Sequence, residues 1–110
     1  GHTRGRDILM PVHFGGATVD VTYLNDQLTP SAFIVEDAAQ AFGSIYANGK
    51  KVGSCDDSEM TIFSFHPAKT ITTGEGGMVT THSEELAHLL RLARNNGIFN
   101  SNRLYPGYYD

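Results

Sequence analysis

Apolar residues along the chain fall into short runs separated by glycine-rich and polar stretches, and the runs predict strands alternating with helices. Ile8 to Phe14 is an apolar run closed by Gly15-Gly16 and reads as a buried strand, although Pro11 inside it removes one ladder donor. Val19 to Asn25 reads as a short helix, with Val21, Leu24 and Leu28 spaced for one face. Thr29-Pro30-Ser31 is a turn, and Ala32 to Val35 is a second strand that delivers Glu36 and Asp37 at its carboxyl end. Ala38 to Phe42 reads as a brief helical turn stopped by Gly43, and Tyr46 to Ser58 as a loop or small hairpin. Met60 to Phe65 is a third strand whose poor alternation predicts burial on both faces. His66 to Gly76 is a loop, and Gly77 to Thr81 a fourth strand.

The strongest helix runs from Ser83 to Arg94. Ser83 caps it, Glu84 and Glu85 sit where the helix dipole favours anions, and Arg91 and Arg94 occupy the last turn. Leu86, Leu89, Leu90 and Ala93 form an apolar stripe, and Asn95-Asn96-Gly97 supplies a left-handed stop. These elements predict one α/β domain over residues 1–110, a partial, mostly parallel sheet with flanking helices. Residues 1–6 read as a tag remnant or an irregular lead. Four strands and one strong helix do not cover both faces of a parallel sheet. A homo-oligomer is therefore expected, joined through the Met60–Phe65 strand, the Leu86/Leu89/Leu90 stripe or the tyrosines Tyr105, Tyr108 and Tyr109.

Composition narrows the function classes. Lys and Arg number 8 against 12 Asp and Glu, a formal net charge of −4, and no basic run is present to neutralise phosphates, which argues against nucleic acid as a partner. Charged residues are 18% of the chain, below the roughly 25% of an average domain, and glycine is 12 of 110, above the usual ~7%. That balance points to a folded domain with tight loops. No apolar stretch approaches the length of a membrane span, and no signal peptide is visible, so no membrane partner is expected. Cys55 is the sole cysteine, which excludes an internal disulfide and a cysteine zinc site; a reducing, cytoplasmic setting is expected. His13, His82, His88, Asp56 and Asp57 lack ligand spacing, so no metal site is expected.

Ligands of open α/β sheets bind beyond the carboxyl ends of strands. Here one strand end carries Glu36-Asp37-Ala38-Ala39-Gln40, and another Ser64-Phe65-His66-Pro67-Ala68-Lys69 followed by Gly74-Glu75-Gly76-Gly77. A carboxylate at one end and a lysine just past the other suggest lysine Schiff-base chemistry, in which pyridoxal phosphate sits on the lysine and an acidic group pairs with its ring nitrogen. The amine must be partly neutral to react, a state favoured by burial or a nearby cation. Taken alone, Asp37 also reads as a cap for the turn at Ala38, Lys69 as a solvated charge, and Ser64 as a partner for backbone. His66 reads as a packed residue orienting the lysine loop, the loop glycines as conformational, Asp56-Asp57 as a turn, and Cys55 as inert.

The blocks Glu36-Asp37-Ala38-Ala39-Gln40-Ala41-Phe42-Gly43 and Ser64-Phe65-His66-Pro67-Ala68-Lys69, about thirty residues apart with Gly74-Glu75-Gly76-Gly77-Met78 following, resemble the sugar-nucleotide aminotransferases of the DegT/StrS type. Supporting matches run through Pro11-Val12-His13-Phe14-Gly15-Gly16, Val52-Gly53-Ser54, Leu90-Arg91 and Asn96-Gly97-Ile98, so the resemblance spans Asp7 to Tyr109. It implies the core of the large domain of a fold type I enzyme. It also implies amino transfer from an amino acid, glutamate, to a nucleotide-linked keto-sugar. By this resemblance Lys69 would carry pyridoxal phosphate and shuttle the proton, and Asp37 would hold the pyridine nitrogen protonated. Gln40 would lie beside the phenolic oxygen and ring face, and Ser64 would bond the phosphate. Enzymes of this kind are several times longer and work as dimers. The chain is therefore expected to be a fragment or remnant, inactive alone. The alternative expectation is a non-catalytic self-associating module or a cofactor-binding remnant.

Overall fold

The computed structural model describes residues 7–95, 98–99 and 103–104. Four strands form one sheet in the order β1 (Ile8–Leu9), β2 (Phe33–Asp37), β3 (Met60–Ser64) and β4 (Gly77–Thr80). β1 pairs with β2 and β2 with β3 in parallel, while β4 runs antiparallel to β3. The sheet is thus mostly parallel, as expected. The reversal at β4 follows from its connection, because the loop 65–76 contains no helix to carry the chain back across the sheet. A small two-stranded antiparallel pair, β5 (Ile98–Phe99) and β6 (Arg103–Leu104), comes last. Residues 1–6, the Asn96-Gly97 stop and the tyrosines Tyr105, Tyr108 and Tyr109 lie outside the described residues.

The expected strand Ile8–Phe14 is shorter than its apolar run. It ends at Leu9, before Pro11, which has no N–H to give the ladder. Pairing resumes for a single bridge, Val12 opposite Asp37, in which Asp37 N–H donates to the Pro11 carbonyl and His13 N–H to the Asp37 carbonyl, both at 2.9 Å. Phe14–Gly16 then coils into a 3-10 turn that needs Gly15 and Gly16 at φ of 62° and 85°. The helical turn expected over Ala38–Phe42 is instead two successive tight turns, closed by Ala41 N–H to Ala38 O and Ser44 N–H to Ala41 O. A helix cannot start there, because Ala38 N–H still donates to Ile62 O of β3 and Ala39 N–H is taken by the Asp37 carboxylate.

Helix α1 (Val21–Gln27) begins two residues later than its apolar spacing predicts, because Asp20 caps it by accepting from Tyr23 N–H at 2.9 Å. Helix α2 (Glu84–Arg94) starts at the expected cap, with the Ser83 hydroxyl oxygen accepting from Leu86 N–H at 3.2 Å. Its seating differs from the predicted stripe. Leu92 is the buried residue, Leu86, Leu89 and Leu90 are half-buried, and Ala93 is exposed. The helix therefore rests on the side shared by Leu89 and Leu92, which are three residues apart and adjacent on the helical surface.

Register partners in neighbouring strands project to the same side of a pleated sheet. One face accordingly carries Leu9, Ile34, Glu36, Thr61 and Phe63, and the other carries Ile8, Asp37, Ile62 and Val79, with Ser64 two residues beyond Ile62. The first face is covered by the chain itself. Ala38, Ala41, Val52 and Phe63 form a buried cluster joined by Phe42, Tyr46 and Phe65, and Phe42 meets Phe63 and Phe65 edge-to-face at 5.5 and 5.4 Å. The second face is more open, with Ile8 68% exposed and Met60, Ile62 and Ser64 half-buried. β3 is therefore not buried on both faces as expected; Thr61 and Phe63 point into the core and their neighbours do not. Nor does β3 offer a free edge for association, since β2 and β4 pair with both of its sides.

Of the loop or small hairpin expected over Tyr46–Ser58, the first part forms a hairpin, with Ile45 opposite Lys51 and Tyr46 N–H bonded to Lys50 O at 2.8 Å. It turns into β3 through Gly53, whose φ is 95° and where an added Cβ would stand 2.8 Å from Phe63 Cζ. Gly49, at φ 84°, has open space instead. Gly53→Ala is expected to lower stability by about 3 kcal/mol, because left-handed strain and collision with a buried ring add, and Gly49→Ala by about 1 kcal/mol from strain alone. Paired urea denaturation curves of the two variants check the difference.

Candidate active site

Asp37 ends β2 and Ser64 ends β3. Because Asp37 pairs in register with Ile62, Ser64 lies two residues further along the same face, roughly 6.6 Å in the strand direction. The parallel pairing thus brings an acid and a hydroxyl, far apart in sequence, to one edge. The Asp37 carboxylate is half-buried; Oδ1 accepts from Ala39 N–H at 3.0 Å, and Oδ2 takes no hydrogen bond among the described residues. Asp37 therefore also caps the turn, the alternative reading of this residue, with one oxygen left over. The Ser64 hydroxyl oxygen accepts a long bond from His66 N–H, 3.4 Å, and its proton remains available.

Lys69 sits in the loop that leaves β3. Phe65 holds this loop closed at its base. Its N–H donates to Gly76 O, and its carbonyl accepts from Thr73 N–H and the Thr72 hydroxyl. Within the loop Lys69 N–H donates to His66 O at 2.9 Å, and the His66 Nδ1 accepts from Ala68 N–H at 3.2 Å. His66 does shape the lysine turn, but it is exposed where a packed residue was expected, because its bonds are to local backbone and no core reaches it. Lys69 is half-buried, and its ammonium makes no ion pair or hydrogen bond among the described residues. The loop glycines serve backbone geometry: Gly74 has φ 81°, and a Cβ on Gly77 would stand 2.9 Å from Phe63 O.

Gln40 lies in the turn after β2, exposed, with its Oε1 accepting from Gly15 N–H at 2.8 Å. Asp37 and Gln40 thus lie at and beyond the end of β2, and Ser64 and Lys69 at and beyond the end of β3, the carboxyl ends of adjacent parallel strands, and no hydrogen bond joins any two of the four. Together they offer an anionic acceptor, an amine, a hydroxyl donor and an amide N–H₂. That set matches the groups of pyridoxal phosphate: a ring N–H, an aldehyde, a phosphate and a phenolic oxygen.

The residue that sequence reasoning passed over is the neighbour of Asp37. Glu36 points to the other face, 1% exposed, and its carboxylate accepts from His13 Nε2 at 2.8 Å, from the Thr61 hydroxyl at 2.9 Å, and from the hydroxyls of Tyr46 and Ser58. Burial alone would raise the Glu36 pKa, but the bonds from Ser58, Tyr46, His13 and Thr61 outweigh it and hold the group below its ordinary value. Burial, with the hydrogen bond and charge of Glu36, keeps the Tyr46 phenol protonated far above its usual range. A signal was available. An acid in the apolar run Phe33-Ile34-Val35 has to be buried, and a buried carboxylate needs several donors.

A cavity of about 420 Å³ lies on the Glu36 side, between α1 and the 46–57 segment, and is lined by Asp20, Tyr23, Glu36, Tyr46, Lys50 and Asp57 among others. None of the four residues at the strand ends lines it. Asp56 pairs with Lys50 at 2.9 Å and Asp57 accepts from the Thr22 hydroxyl at 2.6 Å, so these two acids tie the hairpin and α1 rather than simply making a turn. Cys55 is buried, with its thiol against the hydroxyls of Thr61 and Thr80. Among the described residues no group of three or more His, Cys, Asp or Glu side chains is placed to hold a metal ion. No helix among them is long and apolar enough to cross a membrane.

A mostly parallel α/β sheet of this kind is the core of a fold type I aminotransferase, and solved enzymes of that fold superpose on it. Aminotransferase PseC of Helicobacter pylori, involved in the biosynthesis of pseudoaminic acid, superposes with a TM-score of 0.74 at 36% identity, over 82% of this chain and 24% of that one. A 3-amino-5-hydroxybenzoic acid synthase superposes with a TM-score of 0.76 at 33% identity, over 94% of this chain and 27% of that one. GDP-perosamine synthase of Caulobacter vibrioides is 44% identical over 98 residues, 88% of this chain and 25% of the relative. Residues 3–107 match the DegT/DnrJ/EryC1/StrS aminotransferase family, and the chain belongs to that family. Its members are pyridoxal-phosphate-dependent aminotransferases. The chain spans about a quarter of the length of the curated relatives it matches.

In the intact protein, Glu36→Gln is expected to lower stability by about 3 kcal/mol near neutral pH, since an amide N–H₂ would face groups that are themselves donors. The native pKa of Glu36 is depressed, so its contribution is fully present above the unfolded value of about 4.3 and is lost as pH falls through the native value. The gap between wild type and Glu36→Gln should therefore shrink on acidification below about pH 4.3. Urea midpoints of both proteins measured from pH 7 to pH 3 check this.

Proposed function

We propose that the chain forms the cofactor-binding core of an enzyme that transfers an amino group from an amino acid, glutamate, to a keto-sugar linked to a nucleotide. The observation that carries this reading is the meeting of Asp37 and Ser64 on one face of adjacent parallel strands, with the Lys69 loop pinned just beyond them. Family membership supports it, as does the GDP-sugar product named for the Caulobacter relative. Bound there, pyridoxal phosphate supplies an electron sink for the carbanion left when the donor loses its α-proton. Asp37 Oδ2, the oxygen its turn leaves unpaired, would accept the ring N–H and keep that nitrogen protonated. Lys69 Nζ would hold the aldehyde carbon of the cofactor and would also serve as the base that carries the proton between carbon atoms. The Ser64 hydroxyl would donate to the phosphate, and Gln40 Nε2 to the phenolic oxygen.

The same proposal places the protein in a reducing, cytoplasmic setting, supported by the unpaired, buried Cys55 thiol. It also makes the protein a homo-oligomer. Support comes from the open sheet face, where Ile8 is 68% and Val12 49% exposed, apolar area that another chain or another part of the same chain would cover.

Borohydride reduction of the intact, cofactor-loaded protein is expected to fix the cofactor on Lys69, and peptide mapping that finds it on Lys50 or Lys51 would remove the assignment. Asp37→Asn should lower transamination by at least about a hundredfold, since the ring nitrogen loses its charged partner, while reduction still marks Lys69. Near-normal turnover in that variant would leave Asp37 as a turn cap only.

A further inference from the structure

His13 is fully buried, and every polar atom it owns is used. Its backbone N–H donates to Asp37 O at 2.9 Å, its ring Nε2 bonds Glu36 at 2.8 Å, and its ring Nδ1 accepts from Val19 N–H at 3.0 Å. An imidazole nitrogen that accepts from a backbone N–H carries no proton, so the ring proton is on Nε2 and the bond to Glu36 is a donation from a neutral ring. The two ring bonds close the loop 13–19 at both ends. Inside that loop the 3-10 turn aims Gly15 N–H at Gln40, and Gly16 O is held by the Ser44 hydroxyl at 2.9 Å. An N–H can bond only the oxygen of a carboxamide, so the turn settles which way Gln40 faces. Its Oε1 is occupied, and no hydrogen bond among the described residues takes its N–H₂.

We infer that His13 is a positioning residue of the cofactor site. Held between Glu36 and Val19, it fixes the 13–16 turn so that Gly15 N–H orients the Gln40 carboxamide with its donor toward the cofactor. The inference rests on the reading of Gln40 as a cofactor contact. His13 touches no reacting group and acts only through that chain of bonds. Glu36 and Asp37 thereby serve one site from opposite faces of a single strand.

Two substitutions separate the ring nitrogens, since asparagine places an oxygen near Nδ1 and glutamine an N–H₂ near Nε2. His13→Gln keeps a donor for Glu36 and loosens Val19; His13→Asn keeps an acceptor for Val19 and removes the Glu36 donor. Pyridoxal phosphate dissociation constants and the visible absorption maximum are measured on the intact protein, in the native background and in Gln40→Ala. Melting temperatures are recorded alongside. His13→Gln is expected to weaken binding by about tenfold when Gln40 is present and by less than about twofold in Gln40→Ala. His13→Asn, which loses the Glu36 anchor, is likewise expected to weaken binding when Gln40 is present and by less than about twofold in Gln40→Ala.

Equal weakening by His13→Gln in both backgrounds, or none in either, overturns the inference while leaving Gln40 in place. A Gln40→Ala protein with unchanged affinity and spectrum overturns the Gln40 assignment itself, a separate failure. Should His13→Gln not fold, the wild-type imidazole ¹⁵N signals decide: a proton on Nε2 with bare Nδ1 supports the inference, and a protonated Nδ1 overturns it.

Discussion

The whole arrangement depends on one buried carboxylate. Glu36 occupies the core face of the central strand, where an unpaired charge would cost several kcal/mol, and it is tolerated because four donors converge on it. Those donors come from the turn before α1, the hairpin, the approach to β3 and β3 itself, namely His13, Tyr46, Ser58 and Thr61. A single anion therefore draws together segments that the hydrophobic effect, being non-directional, would leave free to slide. With no cation in the set, the charge is held by hydrogen-bond dipoles alone. Specific geometry is the consequence.

That geometry explains how a sheet of four short strands builds two different faces. On one side the hairpin and the turns after β2 pack Ala38, Ala41, Val52 and Phe63 with three more aromatic rings. On the other, Asp37, Ser64 and half-covered apolar residues face outward. The strand period of two assigns Glu36 and Asp37 to opposite sides, so adjacent acids hold separate jobs, one in the core and one at the edge. Strand ends beyond a parallel pair are natural places for such an edge, because the chain leaves both strands in the same direction and its loops gather there.

Much of this was legible in advance. The runs at 33–37, 60–64 and 77–80 and the capped helix from Ser83 all follow from local pattern, and the acid, serine and lysine at and beyond the ends of β2 and β3 from short motifs. The misses share a cause. Ile8–Phe14 looked like one strand, yet Pro11 interrupts its ladder; Ala38–Phe42 looked helical, yet its first amides were already engaged by β3 and by Asp37. His13 and Gly15 lie in a block that matches the family, but their roles are not readable from it, since their partners Glu36, Val19 and Gln40 stand up to twenty-five residues away.

The amino-acid sequence by itself determined the element types, the class of fold and the identities of the strand-end residues, because these depend on apolar periodicity, caps and short motifs that act over a few residues. Only the tertiary structure decided which neighbours those residues meet. The parallel register that sets Ser64 beside Asp37, the reversal of β4, the roll of α2 onto Leu92 and the four bonds to Glu36 are all contacts between distant segments. Each depends on which amides and carbonyls remain unpaired once the strands have formed, a quantity that belongs to the assembled sheet and not to any stretch of the chain.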